Sequence, residues 1–213
     1  MERPVGVIGS GGHAKEILAA LEAAGFVVEA IFDDNPERWG QRLWNIPICG
    51  DIAHAHAYPH LALFIAIGHN ATRARIAKSF PDREWVTLIH PDTTTHSTAV
   101  IGPGTVIQAG AILQPDVTIG AHSIIDTGAI VSHDCQIGDY VHLAPGVALA
   151  GENVLEEGVF FGIGSSSIPQ RRIGAWTTVG AGAVVVKDLP SHVVAKGVPA
   201  KVDSKTEKPS AIE

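Results

Sequence analysis

Three places in this 213-residue sequence gather residues that could do chemistry. The first is Ser132-His133-Asp134-Cys135. A histidine titrates near neutral pH, and a carboxylate on its Nδ1 fixes the tautomer that leaves Nε2 free to accept a proton, so this pair suits general-base catalysis. The second is Gly9-Ser-Gly-Gly-His13, between an apolar run and a run of helix formers. A glycine-rich turn there brings backbone N–H groups to the helix N-terminus, where phosphate binds. Gly9, Gly11 and Ala14 also fit a looser dinucleotide fingerprint, with Asp33 or Asp34 as ribose partner. NAD is therefore a rival ligand for this segment, although a unit of about 80 residues is short for the full six-stranded sheet. The third is Ala53-His-Ala-His-Ala-Tyr-Pro-His60, which has the look of a metal tract. No cysteine or clear carboxylate joins its histidines, so a solvated loop is the reading and no metal is expected.

The elements that must position these residues follow two different periods. Val5-Gly-Val-Ile8 reads as a strand, 14–24 as a helix with Ile17, Leu18 and Leu21 on one stripe, and 26–32 and 61–67 as further strands. A second helix is expected over 71–79 and a fourth strand over 85–89. Strands alternating with helices predict a small parallel sheet, half of a Rossmann-like unit.

From Ile101 the period becomes six. Every sixth residue is Ile101, Ile107, Leu113, Ile119, Ile125, Val131, Ile137, Leu143, Leu149, Leu155, Phe161, Ser167, Ile173, Val179 and Val185. Fourteen of these fifteen are large and apolar, where a chain 46% hydrophobic would give about seven, so chance does not explain the pattern. Hexapeptide repeats mark a left-handed parallel β-helix, in which three hexapeptides close one triangular coil; residues 101–190 supply about five coils. The position four beyond the apolar residue is usually small or β-branched, as at Thr105, Ala111, Val117, Ser123, Ala129, Cys135, Val141 and Val147. Cys135 falls in that inward slot, so it reads as core and no acyl-enzyme is expected. The register falters at Ser165-Ser-Ser-Ile-Pro-Gln-Arg-Arg172, where a bulge is expected to turn Ile168 inward.

The repeat, the ending Val194-Ala-Lys-Gly-Val-Pro-Ala-Lys201, the Gly9-Ser-Gly-Gly-His-Ala-Lys15 opening, Ile31-Phe-Asp-Asp34, Ala66-Ile-Gly-His-Asn70 and Ser132-His-Asp134 together resemble the hexapeptide sugar O-/N-acetyltransferases of the sialic-acid-biosynthesis and bacillosamine type. That resemblance implies an acetyl-CoA-dependent enzyme acting on a nucleotide-linked 4-amino sugar, with His133 as general base and Asp134 making it more basic. Asp stands where the family usually has Glu, one methylene longer. It further implies acetyl-CoA contacts from His142, on a neighbouring coil, and from Gly151, Ile163 and Ala181, with the Gly151 N–H donating to the thioester carbonyl. Nucleotide-sugar contacts are implied for Gly11, Gly12, His13, Asp33, Asp34, Gly68, His69 and Asn70. The sugar would bridge the N-terminal unit and the helix surface near His133, and three copies would assemble with CoA between adjacent subunits.

The expected architecture is thus a small α/β nucleotide-sugar-binding unit over 1–90, a left-handed β-helix with C-terminal extension over 91–203, and a loose tail over 204–213. Within the enzyme class the rival is O-acetylation of a sugar hydroxyl such as that of sialic acid. Outside it, the rival is a non-catalytic nucleotide-sensing trimer. The formal charge of −7 and the lack of any Lys/Arg run argue against a nucleic-acid partner. Two cysteines make no disulfide framework, the chain opens without a charged-then-apolar leader, and no apolar run reaches the roughly 18 residues of a membrane helix. A cytoplasmic protein is expected.

Overall fold

The computed structural model describes residues 4–205. Its N-terminal part holds β1 (Val5–Ile8), α1 (Gly12–Ala23), β2 (Val28–Phe32), β3 (Arg42–Leu43), β4 (Ile46–Gly50), β5 (Ala62–Ile65) and α2 (Asn70–Lys78). The sheet runs β3-β4-β2-β1-β5, with β1 parallel to β2 and β5. The β3–β4 hairpin, turned at Trp44 (φ 54°), has no counterpart in the sequence reading. β1 and β5 are buried along their whole length, which explains why both are uninterrupted apolar runs.

The expected fourth strand over 85–89 divides between the two parts. Trp85 makes one isolated bridge to Leu63, whereas Leu88–Ile89 is already the first strand of the β-helix. The coils therefore begin before Ile101. Thr94–Thr95, the next strand, puts a threonine where the period calls for a large apolar residue, and this hides the repeat.

Each coil is a triangle of three two-residue strands, and coils stack through parallel ladders eighteen residues apart. The first face carries strands 88–89, 106–107, 124–125, 142–143, 160–161 and 178–179, then Val193–Lys196 and an antiparallel Lys201–Lys205. The second face begins at 94–95 and the third at 100–101. Ser204 and Lys205 thus belong to a strand, where a loose tail was expected; residues 206–213 of that expectation lie outside the described residues. Among the described residues no helix is long and apolar enough to cross a membrane.

Corners recur at fixed positions and, from Gly104 to Gly182, each places one residue in the left-handed region. Gly128 and Gly146 supply it between the first and second faces, at φ 68° and 69°. Between the second and third faces the same place is taken by Asp116, Asp134, Glu152 and Gln170, at φ 59–62°. Between the third and first it is taken by His122 and Tyr140 among others.

The bulge expected near Ser167 does not form. Ser166–Ser167 pairs in register with Ala148–Leu149 on one side and Val184–Val185 on the other, leaving Ser167 buried and Ile168 exposed. Two flanking ladders fix the register more firmly than one polar side chain disturbs it, even though the Ser167 hydroxyl has no partner. Arg171 escapes the inward slot by turning its guanidinium out towards Asp188, at 3.6 Å.

The first face is where the N-terminal part docks. Leu88, Val106 and Ile124 point outward from successive coils, yet all are at most 1% exposed, packed with Val5, Val7, Ile17 and Leu21. Burying each is worth about 2 kcal/mol. The adjoining corner is sealed by an aromatic stack: the His122 ring lies 5.5 Å from Tyr140 at 5°, with Trp85 edge-on at 4.7 Å.

Burial, reinforced by the positive charge of Arg73, lowers the His122 pKa to about 4. An unfolded histidine takes its proton near pH 6.5, whereas the folded one stays neutral until about 4, so the unfolded state binds more protons in that window. Stability is therefore expected to fall by up to about 3 kcal/mol as pH drops from 6.5 towards 4. Urea unfolding across that range should show a shallower acid slope for His122→Asn, asparagine being tolerant of the left-handed backbone. Parallel slopes for the two proteins would assign the acid sensitivity to other groups.

Candidate active site

Two sites emerge, on opposite sides of the prism. The first is the corner between the second and third faces. His133 and Asp134 are both more than half exposed, and Nδ1 of His133 lies 2.8 Å from Asp134 Oδ2. The shorter carboxylate reaches because Asp134 occupies the left-handed corner position, which turns its side chain back along the preceding residue. With the carboxylate accepting from Nδ1–H, Nε2 remains an acceptor facing solvent. One coil on, Gly151 lies directly under the ring: a methyl placed on it would stand 2.6 Å from both Cε1 and Nε2 of His133. Cys135, next in sequence, is fully buried; burial holds its thiol above the ordinary range, and Sγ contacts the Ala150 carbonyl at 3.2 Å.

The second site is a cavity of about 340 Å³ in the N-terminal part, between the turn after β1 and the start of α2. Gly9, Ser10, Gly11, Gly12 and His13 form one wall; Asp33, Asp34, Ile52, Gly68, Thr72 and Arg75 form much of the rest. Gly11 caps α1 without a side-chain bond, and a methyl on either Gly11 or Gly12 would meet nothing within 4 Å. The first-turn N–H groups thus face open space, the arrangement that binds an anion. The turn is held from below. Asp33 Oδ2 accepts from the Ser10 N–H at 2.7 Å and its hydroxyl at 2.5 Å, Oδ1 accepts from the Asn35 N–H, and Arg38 donates to the Ser10 carbonyl. Burial alone would raise the Asp33 pKa, but these hydrogen bonds and Arg38 outweigh it and the carboxyl sits below its usual range.

Where the cavity meets the first face, His142 is nearly buried. Its Nδ1 lies 3.3 Å from the Gly68 carbonyl, and its ring sits 6.4 Å from that of His13 and edge-on to Phe160. Nε2 stands 3.5 Å from Asp126 Oδ2, an ion-pair distance rather than a hydrogen bond. Burial tends to raise the Asp126 pKa; His142, the Thr127 N–H and His13 together bring it below the normal value.

The residues expected from the sequence therefore part into groups. His133, Asp134 and Gly151 meet at one corner. Gly11, Gly12, His13, Asp34 and Gly68 line the cavity. Ile163 and Ala181 stack on the corner between the first and second faces, both exposed, the Gly182 N–H donating to the Ile163 carbonyl. Four placements differ from expectation. His142 is not a coil away from His133 but half a coil on, across the prism, so within one chain the cavity lies by His142 and not near His133. Asp33 lines the cavity but uses both oxygens to hold the turn. Asn70 is buried between the parts, its amide donating to the carbonyls of Gly158 and Val159, so its side chain does not line the cavity. His69 caps α2, accepting from the Thr72 N–H. The histidine tract is a short helical turn whose side chains diverge: His54 packs on Tyr58, His56 stacks on Phe80, and His60 bonds Glu29. Among the described residues no group of three His, Cys, Asp or Glu could hold a metal.

Sequence reasoning missed Ser10, Thr72, Arg75 and Asp126. Thr72 and Arg75 are three apart on α2, a spacing that shares one helix face, and this was the available signal.

Residues 4–80 match the model of the PglD N-terminal domain, and 98–129 and 116–151 match bacterial transferase hexapeptide repeats. A UDP-N-acetylbacillosamine N-acetyltransferase of Bacillus subtilis is 40% identical over 49% of this chain, a match spanning only 51% of that relative. A GDP-perosamine N-acetyltransferase of Escherichia coli O157:H7 is 30% identical over 92% of this chain and 94% of its own length. The crystal structure of PerB from Caulobacter crescentus, in complex with CoA and GDP-perosamine, is 40% identical and superposes with a TM-score of 0.88 over 94% of this chain and 97% of that one. The chain belongs to the PglD-type sugar N-acetyltransferase family. As a member of that family it is an acyltransferase, which sets aside both the NAD-binding reading of the glycine turn and the non-catalytic trimer.

Gly151 leaves the space that the His133 ring occupies. Gly151→Ala is expected to push the His133 ring off its position and lower kcat at least tenfold while leaving the fold intact, because the displaced ring is exposed. Steady-state kinetics with thermal melting checks this; unchanged kcat in a folded variant would mean the ring position is not critical.

Proposed function

We propose that this chain moves acetyl from acetyl-CoA to the 4-amine of a UDP- or GDP-linked 4-amino-4,6-dideoxy sugar, for cell-surface glycan synthesis, in the cytoplasm where acetyl-CoA is available. The observation that carries the reading is the His133–Asp134 pair, with Nε2 open over Gly151, in a chain whose opposite side holds a cavity fitted to a phosphorylated ligand.

The reaction needs no covalent enzyme intermediate. The sugar amine attacks the thioester carbonyl carbon, His133 Nε2 takes a proton from that nitrogen, and Asp134 stabilises the resulting imidazolium. The Gly151 N–H donates to the carbonyl oxygen as negative charge builds there. The tetrahedral intermediate collapses to the amide, and the thiolate of CoA leaves and is protonated. Holding both substrates together supplies most of the remaining rate.

Because His133 and the cavity lie on opposite sides of one prism, the complete site is formed between copies in a three-fold assembly. One copy brings His133, Asp134 and Gly151. Its neighbour brings the cavity, with Gly11, Gly12 and His13 on the diphosphate and Asp34 towards the nucleoside, while His142, Ile163 and Ala181 line the CoA path. Arg75 adds the positive charge that a diphosphate calls for.

Thiol release from acetyl-CoA, measured against UDP-, GDP- and dTDP-linked 4-amino sugars with sialic acid as hydroxyl acceptor, is expected to show turnover with one amino sugar. Turnover on the hydroxyl alone would replace N- by O-acetylation. His133→Ala should lose at least a hundredfold in kcat, and chains carrying it, mixed with cavity-blocked Gly12→Trp chains, should regain part of the activity. No recovery in mixed trimers would place the whole site in one chain. Arg75→Ala is expected to raise KM for the nucleotide sugar about tenfold and leave KM for acetyl-CoA unchanged, as loss of one charge-assisted contact would.

A further inference from the structure

Helix α2 carries a cation buried without a carboxylate. Arg73 is 1% exposed, and every hydrogen bond it makes goes to a neutral oxygen. Nε donates to the His122 carbonyl at 2.6 Å; Nη1 donates to the carbonyls of Ile67 and Gly68, both at 3.1 Å; Nη2 donates to Asn70 Oδ1 at 3.0 Å and to the carbonyls of Tyr140 at 2.9 Å and Val141 at 3.4 Å. Burial lowers the guanidinium pKa to about 9, so it remains charged at neutral pH.

A buried charge is an expensive way to join two parts of a protein; apolar residues of similar volume join them at lower cost. What the guanidinium adds is direction, because its donors form a rigid fork. The partners of that fork are informative. Ile67 and Gly68 are cavity wall, and Tyr140 lies two residues before His142. The Gly68 carbonyl is shared, accepting from Arg73 and facing His142 Nδ1 at 3.3 Å. One side chain therefore sets the cavity wall against the strand that carries His142.

We infer that Arg73 is a positioning residue for the nucleotide sugar: its fork holds the Ile67–Gly68 wall in register with His142, and the cavity keeps its binding shape only while that fork is in place. The inference rests on the reading of this cavity as the nucleotide-sugar site. A lysine would keep the charge but, as a point donor on a flexible stem, could not hold carbonyls from both parts at once. Methionine would keep volume and lose both charge and donors.

Binding of UDP and of GDP, measured by calorimetry on the full-length protein, tests the idea with Arg73→Lys and Arg73→Met well below their melting temperatures. The tighter-binding nucleotide is expected to bind about tenfold more weakly to Arg73→Lys and more weakly still to Arg73→Met. In turnover, Arg73→Lys should raise KM for the nucleotide sugar by about the same factor. Nucleotide binding and KM unchanged in folded Arg73→Lys, even with a lowered melting temperature, would make Arg73 a purely structural tie and overturn the inference. If the wild-type protein bound neither nucleotide, the reading of the cavity would fall, and this inference with it.

Discussion

Parallel hydrogen-bond ladders between coils, with their repeat of eighteen residues, govern nearly everything else in the molecule. A coil cannot shift along its neighbour without breaking ladders on three faces, so residues eighteen apart lie over one another. That is why Gly151 lies beneath His133, why His142 is followed by Phe160, and why Leu88, Val106 and Ile124 make one continuous apolar strip. It is also why Ser167 stays inside unpartnered: local polarity yields to the ladder.

Stacking also fixes what the corners are able to do. A corner needs a left-handed residue, and where glycine is absent the chain uses side chains with short polar or planar groups. At the corner between the second and third faces this requirement puts a carboxylate next to an exposed histidine, so the conformation that closes the coil also orients the Asp134–His133 pair. At the corner between the third and first faces it puts His122 and Tyr140 in a stack that seals the docked N-terminal part.

The chemistry then depends on separation. The rigid prism sets the His133–Asp134 pair at one corner and the cavity on the opposite face, and on the proposed reading these are half-sites brought together between copies. The α/β part joins the prism through a neutral-liganded cation, Arg73, which ties the angle at which the cavity meets the first face to that one side chain.

The hexapeptide period, the inward place of Cys135 and the strand–glycine–helix start were legible in the sequence because each is a local rule: periodic burial, a small-residue slot, a turn that needs glycine. The resemblance carried by short motifs gave the family and the His133–Asp134 pair. What the sequence left hidden were properties of three-dimensional meeting. Nothing local distinguishes Asn70 and His69, which bond within and between the parts, from residues that line the cavity, and nothing local shows that both Asp33 oxygens hold the glycine turn. Arg73 reads as an ordinary helix arginine until the carbonyls of His122, Tyr140 and Val141, distant in sequence, close around it. Period and motif follow from short-range geometry and burial, so the sequence alone determined the fold and singled out the His133–Asp134 pair; which partner each polar group finds depends on how the first face meets the α/β part, and only the tertiary structure decided that.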